Sequence, residues 1–264
     1  MQTRLLLLLL VTAAICVPWA GAESTDCTTP VLIIADGRIT QSTFPQNTTY
    51  WYGIYAQAGH SYSVEFEPPA DNYLNLARVQ FAPLNVFGPS DYMQSCRGTS
   101  SVAVTQNSGY APVILKNGNG AGRRVSFTTQ SAGLHLIAAT NVAGTSSYSF
   151  RAVDTTLFNL RWSTCGGYDD QWGFLNLSDM PITGIFTAYD LYNRALAAVQ
   201  FTIPPGGEVV RYSNASDLNL PRNTAGYVIF SHNGPPGAIN ADAYMISPTG
   251  TAVIYTKFES GGIR

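Results

Sequence analysis

A chain of 264 residues with 14 basic and 16 acidic side chains, a formal net charge of −2 and only 11% charged residues is ill-suited to nucleic acid, which demands a Lys/Arg cluster that tracks a phosphate backbone. Arg123-Arg124 is the one adjacent basic pair. Aromatics at 12%, 24 Gly and 15 Pro describe many short strands joined by turns and exclude a helical bundle.

Residues 1–22 read as a signal peptide. Arg4 supplies the positive start, Leu5 to Ile15 an apolar run too short for a hydrocarbon core of about 30 Å, and Ala20-Gly21-Ala22 a small-residue cleavage site. No later stretch reaches the ~18 apolar residues of a membrane span, so the mature chain is expected to begin at Glu23 and to be secreted, periplasmic or held at the cell surface. Cleavage leaves Cys27, Cys96 and Cys165. In an oxidising compartment an odd count permits one internal disulfide and one leftover thiol. Cys27 and Cys96, both in the first half, are the expected pair, and Cys165 is free or intermolecular.

Val31 to Ile34 is a β-branched run, and Thr49 to Ala56, aromatic on both faces, reads as a central strand. Tyr62, Val64 and Phe66 then alternate with Ser61, Ser63, Glu65 and Glu67, predicting one buried and one solvated face before Pro68-Pro69 ends the strand. Leu76 to Phe87 is broken by Pro83, and Lys116 to Gly122 is a Gly/Asn turn. Ser131 to Asp154 reads as a β-hairpin whose second strand puts Tyr148, Phe150 and Ala152 on one side and Ser147, Ser149 and Arg151 on the other. After Asp154 the pattern restarts with about eight further strands, among them Leu157 to Trp162, Gln171 to Leu177, Val199 to Ile203, Ala241 to Ser247 and Thr251 to Phe258. The expectation is an all-β chain of two tandem antiparallel β-sandwich domains, jelly-roll or Ig-like, over residues 23–154 and 155–264.

Ala58, Gly59, Tyr62, Val64 and Phe66, followed by Ser131, Gly133, Ile137, Ala139, Gly144, Tyr148 and Phe150, give residues ~30–154 a pattern that resembles the bacterial pre-peptidase C-terminal domain. His135 stands where that family carries an aromatic, and Asp71 to Leu76 replaces its acidic strand. The resemblance implies a β-sandwich that accompanies other domains and has no catalytic residues of its own. The second half resembles the accessory β-sandwich modules of exported bacterial proteins in general and carries no function over.

No G-x-S-x-G, H-E-x-x-H, C-x-x-C or phosphate loop occurs, and His60, His135 and His232 stand apart in sequence. Cys165, in a Gly-rich turn beside Asp169 and Asp170, is the one candidate nucleophile, and it needs His232 brought to it in space. Asp71, Asp91 and Asp169-Asp170 offer carboxylates for Ca²⁺, each with too few acids alone, so no cofactor is expected. Sequons stand at Asn47, Asn176 and Asn214. Trp51, Trp162, Trp172 and Tyr168 are the aromatic candidates for stacking on sugar rings. The reading that follows is a non-catalytic exported module binding a surface polymer, a glycan or a cell-surface protein; the alternative is a secreted hydrolase with a site near Cys165 and His232 at the domain junction.

Overall fold

The computed structural model describes residues 23–67, 80–81, 85–89, 105–106, 110–111, 122–143 and 146–260. Residues 1–22, read above as a signal peptide, and the positions Asp71 to Leu76, Asp91 and Cys96 lie outside them. The fold is all β, with four sheets and a single 3-10 turn, Cys165–Gly167, among the described residues. No helix there is long and apolar enough to cross a membrane.

Two sheets draw only on residues up to Asp154. One runs β1 (Val31–Leu32), β3 (Thr48–Ala56), β10 (Gly133–Ala143), β6 (Asn85–Phe87) and β7 (Thr105–Gln106), with β5 (Gln80–Phe81) also on β10; the other runs β2 (Thr40–Phe44), β11 (Ser146–Asp154), β4 (Ser61–Glu67), β9 (Gly122–Thr128) and β8 (Tyr110–Ala111). Phe44, Tyr52, Phe66, Tyr148 and Phe150 fill the space between them. At its centre the Tyr52 and Tyr148 hydroxyls hydrogen-bond to each other, tying β3 of one sheet to β11 of the other. Burial raises the pKa of both phenols.

Two expectations fail in this half. The stretch Ser131 to Asp154 is not a hairpin, because β10 and β11 lie in different sheets. An apolar face on each of two consecutive strands fits lateral pairing and face-to-face packing equally well, and alternation alone does not separate them. Nor is one face of β4 solvated: all seven of its residues are buried. β4 is central, flanked by β11 and β9, and Glu65 sits in register between Arg151 and Arg124. Arg151 Nε donates to Glu65 Oε2 at 2.6 Å, and the Arg124 guanidinium extends on to Met180 Sδ at 3.4 Å. Long arginine stems roof the polar face.

The aromatic pattern on both faces of β3 has a direct cause. Its outer side is covered around Trp51, which packs with Leu134, Leu136, Phe87 and Cys27, while Tyr55 further along the same side is exposed. Cys27 is disulfide-bonded, and its expected partner Cys96 lies outside the described residues.

The second pair of sheets begins at Leu157. One runs β15 (Ala195–Ile203), β14 (Ile182–Asp190), β17 (Ala225–His232), β12 (Leu157–Ser163) and β20 (Glu259–Ser260); the other runs β16 (Glu208–Tyr212), β13 (Asp169–Asn176), β18 (Ile239–Ile246) and β19 (Ala252–Lys257). Trp162, Trp172, Phe174, Phe186 and Phe230 form its core. The two sandwiches are joined by Thr155 and Thr156 alone, and both are buried. Asp154 Oδ1 accepts from Thr156 N at 3.0 Å and its Oδ2 meets His60 Nδ1 at 2.8 Å. Ser61 N donates to Thr156 Oγ1 at 2.8 Å, Ser231 Oγ donates to the Gly59 carbonyl, and the His60 ring lies 5.3 Å from Phe158. The connection is a packed joint.

In the second sandwich Trp162 Nε1 donates to the carbonyls of Tyr189 and Tyr227, at 3.0 and 3.1 Å. A Cβ on Gly226 would overlap that same Tyr189 carbonyl. Gly226→Ala is therefore expected to destabilise the protein by at least about 2 kcal/mol, backbone having no rotamer by which to yield. Chemical denaturation with a midpoint unchanged from wild type would refute this account of the joint between β14 and β17.

Candidate functional site

Of the four aromatic candidates, Trp162 and Trp172 are fully buried. Trp162 is spent on two backbone carbonyls, and Trp172 packs on Phe186 with ring centroids 5.0 Å apart. Neither offers a face to a ligand, which corrects the expectation for both. Their large apolar rings are worth more in the core than on the surface. Trp51 is half-buried beneath Phe87 at 5.8 Å, and Tyr168 is half-buried just after the Cys165 turn.

Cys165 and His232 do not meet. The Cys165 turn is anchored where Thr164 N donates to Thr224 O at 2.9 Å, next to the first residue of β17. His232 is the last residue of that eight-residue strand and is buried, so the strand's length of roughly 23 Å separates the two positions. His232 is at the joint with the first sandwich and Cys165 is exposed at the far end. A thiolate–imidazole pair of the kind a cysteine hydrolase uses is absent from this arrangement.

The nearby carboxylates serve structure. Asp169 accepts from Arg222 Nη1 at 2.6 Å, Ser213 Oγ at 3.0 Å and Asn214 Nδ2 at 3.1 Å. Asp170, on the opposite face of β13, accepts from Ser163 N at 2.8 Å. No group of three or more His, Cys, Asp or Glu converges among the described residues. The sequons also separate: Asn176 is buried with its amide on the carbonyls of Met180, Ile203 and Pro204, while Asn47 and Asn214 are exposed.

The outer face of the four-stranded sheet β16-β13-β18-β19 carries an aligned set of side chains that no sequence motif marks. Register places Tyr212 opposite Gln171, Gln171 opposite Tyr244 and Tyr244 opposite Tyr255. These four side chains form one lateral row across all four strands. Their neighbours Trp172, Ala243 and Thr256 take the inner side, so the alternation of each strand turns the row outward. Tyr212 and Tyr255 are exposed, and Tyr244 and Gln171 are half-exposed. The Tyr244 and Tyr255 rings lie 5.1 Å apart at 49°.

Two residues further along the strands, Val210, Gly173, Asp242 and Lys257 make a second row in the same register. Gly173 leaves a recess in it. A Cβ there would stand 2.7 Å from Asp242 Oδ1 and 3.2 Å from Glu208 Oε1, so two carboxylates lean over one bare stretch of backbone. The Tyr244 phenol has its pKa raised, first by desolvation and then by Asp242, Tyr255 and Glu208. Among the described residues, the side chains of Gln171, Tyr212, Tyr244, Tyr255, Asp242, Glu208 and Lys257 have no hydrogen bond or ion pair with the rest of the chain. On the outer face of the opposite sheet, Thr183 pairs with Thr202 at 2.8 Å and Tyr227 with Asn193 at 3.2 Å.

The signal for this face lies in Ala241 to Ile246, where small Ala241 and Ala243 alternate with Asp242 and Tyr244, and in Val253, Tyr255 and Lys257. Small residues on one side of a strand and aromatic or charged ones on the other mark a face kept for something besides the core.

No family model and no curated protein sequence matches the chain. Among solved structures, similarity is reported to the full extracellular region of zebrafish Gpr126/Adgrg6, with 9% identity, a TM-score of 0.24 and coverage of 88% of this chain and 42% of that one. A glycosyl hydrolase family 2 member from Bacteroides cellulosilyticus shows 11% identity and a TM-score of 0.20, over 93% of this chain and 30% of that one. A β-glucuronidase from glycoside hydrolase family 2 shows 11% identity and a TM-score of 0.22, over 90% and 26%. The chain thus spans less than half the length of these proteins, and superposition at this level assigns neither fold family nor function.

Two buried groups give stability opposite pH dependences. Burial holds the His232 pKa down at about 4, below the ~6.5 of an unfolded chain. Its contribution is complete above pH 6.5 and falls away as pH drops toward 4. Burial pushes Asp170 up to about 6, above the ~3.9 of an unfolded chain. Its contribution is complete below about pH 4 and is lost as pH rises through 6. Thermal unfolding at pH 4 to 7 should show Tm for His232→Gln gaining on wild type toward pH 4, and Tm for Asp170→Asn gaining toward pH 7. Parallel profiles for all three proteins would contradict both assignments.

Proposed function

We propose that this protein is a non-catalytic exported binding module that holds a carbohydrate chain on the outer face of β16-β13-β18-β19. The observation that carries the proposal is the row Tyr212–Gln171–Tyr244–Tyr255, with three phenol rings and one amide aligned across the sheet and no partner within the described chain. Tyrosine has an apolar face for the C–H surface of a sugar and a hydroxyl for its oxygens. The carboxylates of Asp242 and Glu208 and the Gln171 amide supply acceptors and a donor beside the rings. The face is built on strands, so its groups are held in place before a ligand arrives.

The pre-peptidase C-terminal resemblance of the first half supports the same reading, that domain being an appendage. The hydrolase alternative loses its geometric basis with Cys165 and His232 at opposite ends of β17. In affinity electrophoresis against immobilised polysaccharides, Tyr244→Ala and Tyr255→Ala are each expected to weaken binding about tenfold, the scale of one lost aromatic contact. Their Tm values should stay close to wild type. Trp51→Ala should leave retardation unchanged, and equal loss in all three variants would refute the placement of the site.

A further inference from the structure

Building on that reading, we infer that the ligand is an uncharged hexose polymer lying across the strands, with about three consecutive rings on the tyrosine row and hydroxyls directed into the recess over Gly173. Length comes first. The row crosses three inter-strand steps, which is about 14 Å or roughly three pyranose rings. A chain running along the strands would meet Tyr244 and then, about 7 Å on, Asp242, with no second ring to stack on. Ring contact runs across the strands, between Tyr244 and Tyr255, with the Gln171 amide standing between Tyr244 and Tyr212.

Charge decides the class. Glu208 and Asp242 converge over Gly173, and Lys257, opposite Asp242, is the one cation in that row. Arg211, in register with the buried Trp172, belongs to the inner side, where it pairs with Asp217 at 3.2 Å. Arg222 is taken by Asp169. An anionic polymer would bring carboxylates or sulfates against two unpartnered carboxylates, whereas sugar hydroxyls donate to them. Gly173 is what makes the second row reachable, since any side chain there would fill the space that the two carboxylates overlook.

The test is calorimetric titration of the mature chain with mixed-linkage β-glucan, glucomannan, polygalacturonate, heparan sulfate and chitosan, alongside Tyr244→Ala and the double variant Glu208→Gln/Asp242→Asn. Expected is binding to at least one neutral polymer, at least tenfold weaker in Tyr244→Ala, with none to polygalacturonate or heparan sulfate. For oligomers of the bound polymer, affinity should rise at least tenfold from disaccharide to trisaccharide and less than twofold from trisaccharide to hexasaccharide. The double variant should weaken neutral binding and admit polygalacturonate. Tyr244-dependent binding of an anionic polymer, or chitosan bound more tightly than every neutral polymer, would overturn the inference while leaving the tyrosine platform standing. Binding of none of the five, or binding indifferent to Tyr244→Ala, would overturn the platform reading itself.

Discussion

Burial of Trp172 and Phe174 on β13 sets what the second sandwich can present. Side chains on a strand alternate between faces, so placing these two rings in the core leaves Gln171 and Gly173 no choice but the outer face. β13 is central in its sheet, and its register with β16 and β18 carries the same division sideways. The tyrosine row and the recess beside it are therefore consequences of core packing. Loops, the usual carriers of function on a sandwich, play no part in aligning them.

The joint between the sandwiches is built to a similar standard. A two-residue link whose threonines are both buried and hydrogen-bonded to the neighbouring strand differs from the exposed, polar linkers that let domains swing. His60, Asp154 and His232 occupy this joint, which accounts for two of the three histidines without recourse to chemistry. In the same way, Glu65 and its two arginines account for the buried polar face of β4. On the outer face of β16-β13-β18-β19, the side chains of Gln171, Tyr212, Tyr244, Tyr255, Asp242, Glu208 and Lys257 have no hydrogen bond or ion pair with the rest of the described chain.

How far the residues announce this architecture differs by level. Strand content was legible, since alternation and Gly/Pro turns are local properties. Sheet membership was not. Nothing local in Ser131 to Asp154 distinguishes strands of two sheets from a hairpin, and only the long-range pairing of β10 with β3 and of β11 with β4 decides it. The site was obscured for a related reason. Tryptophan draws the eye as a sugar platform, but its size makes it the residue the core claims first, as Trp162 and Trp172 show. Tyr212, Gln171, Tyr244 and Tyr255 are scattered over 85 positions of sequence and become a row only through cross-strand register.

Occupancy of this row by a carbohydrate chain is tested by a residue-resolved NMR titration of residues 23–264 with a neutral hexose trisaccharide. The expected result is shift changes concentrated at Gln171, Gly173, Tyr212, Asp242, Tyr244 and Tyr255, with the amides of Cys165, Tyr168, Tyr189 and Tyr227 unmoved. Changes centred on the Cys165 turn or on the outer face around Tyr189 and Tyr227, with the tyrosine row silent, would contradict it.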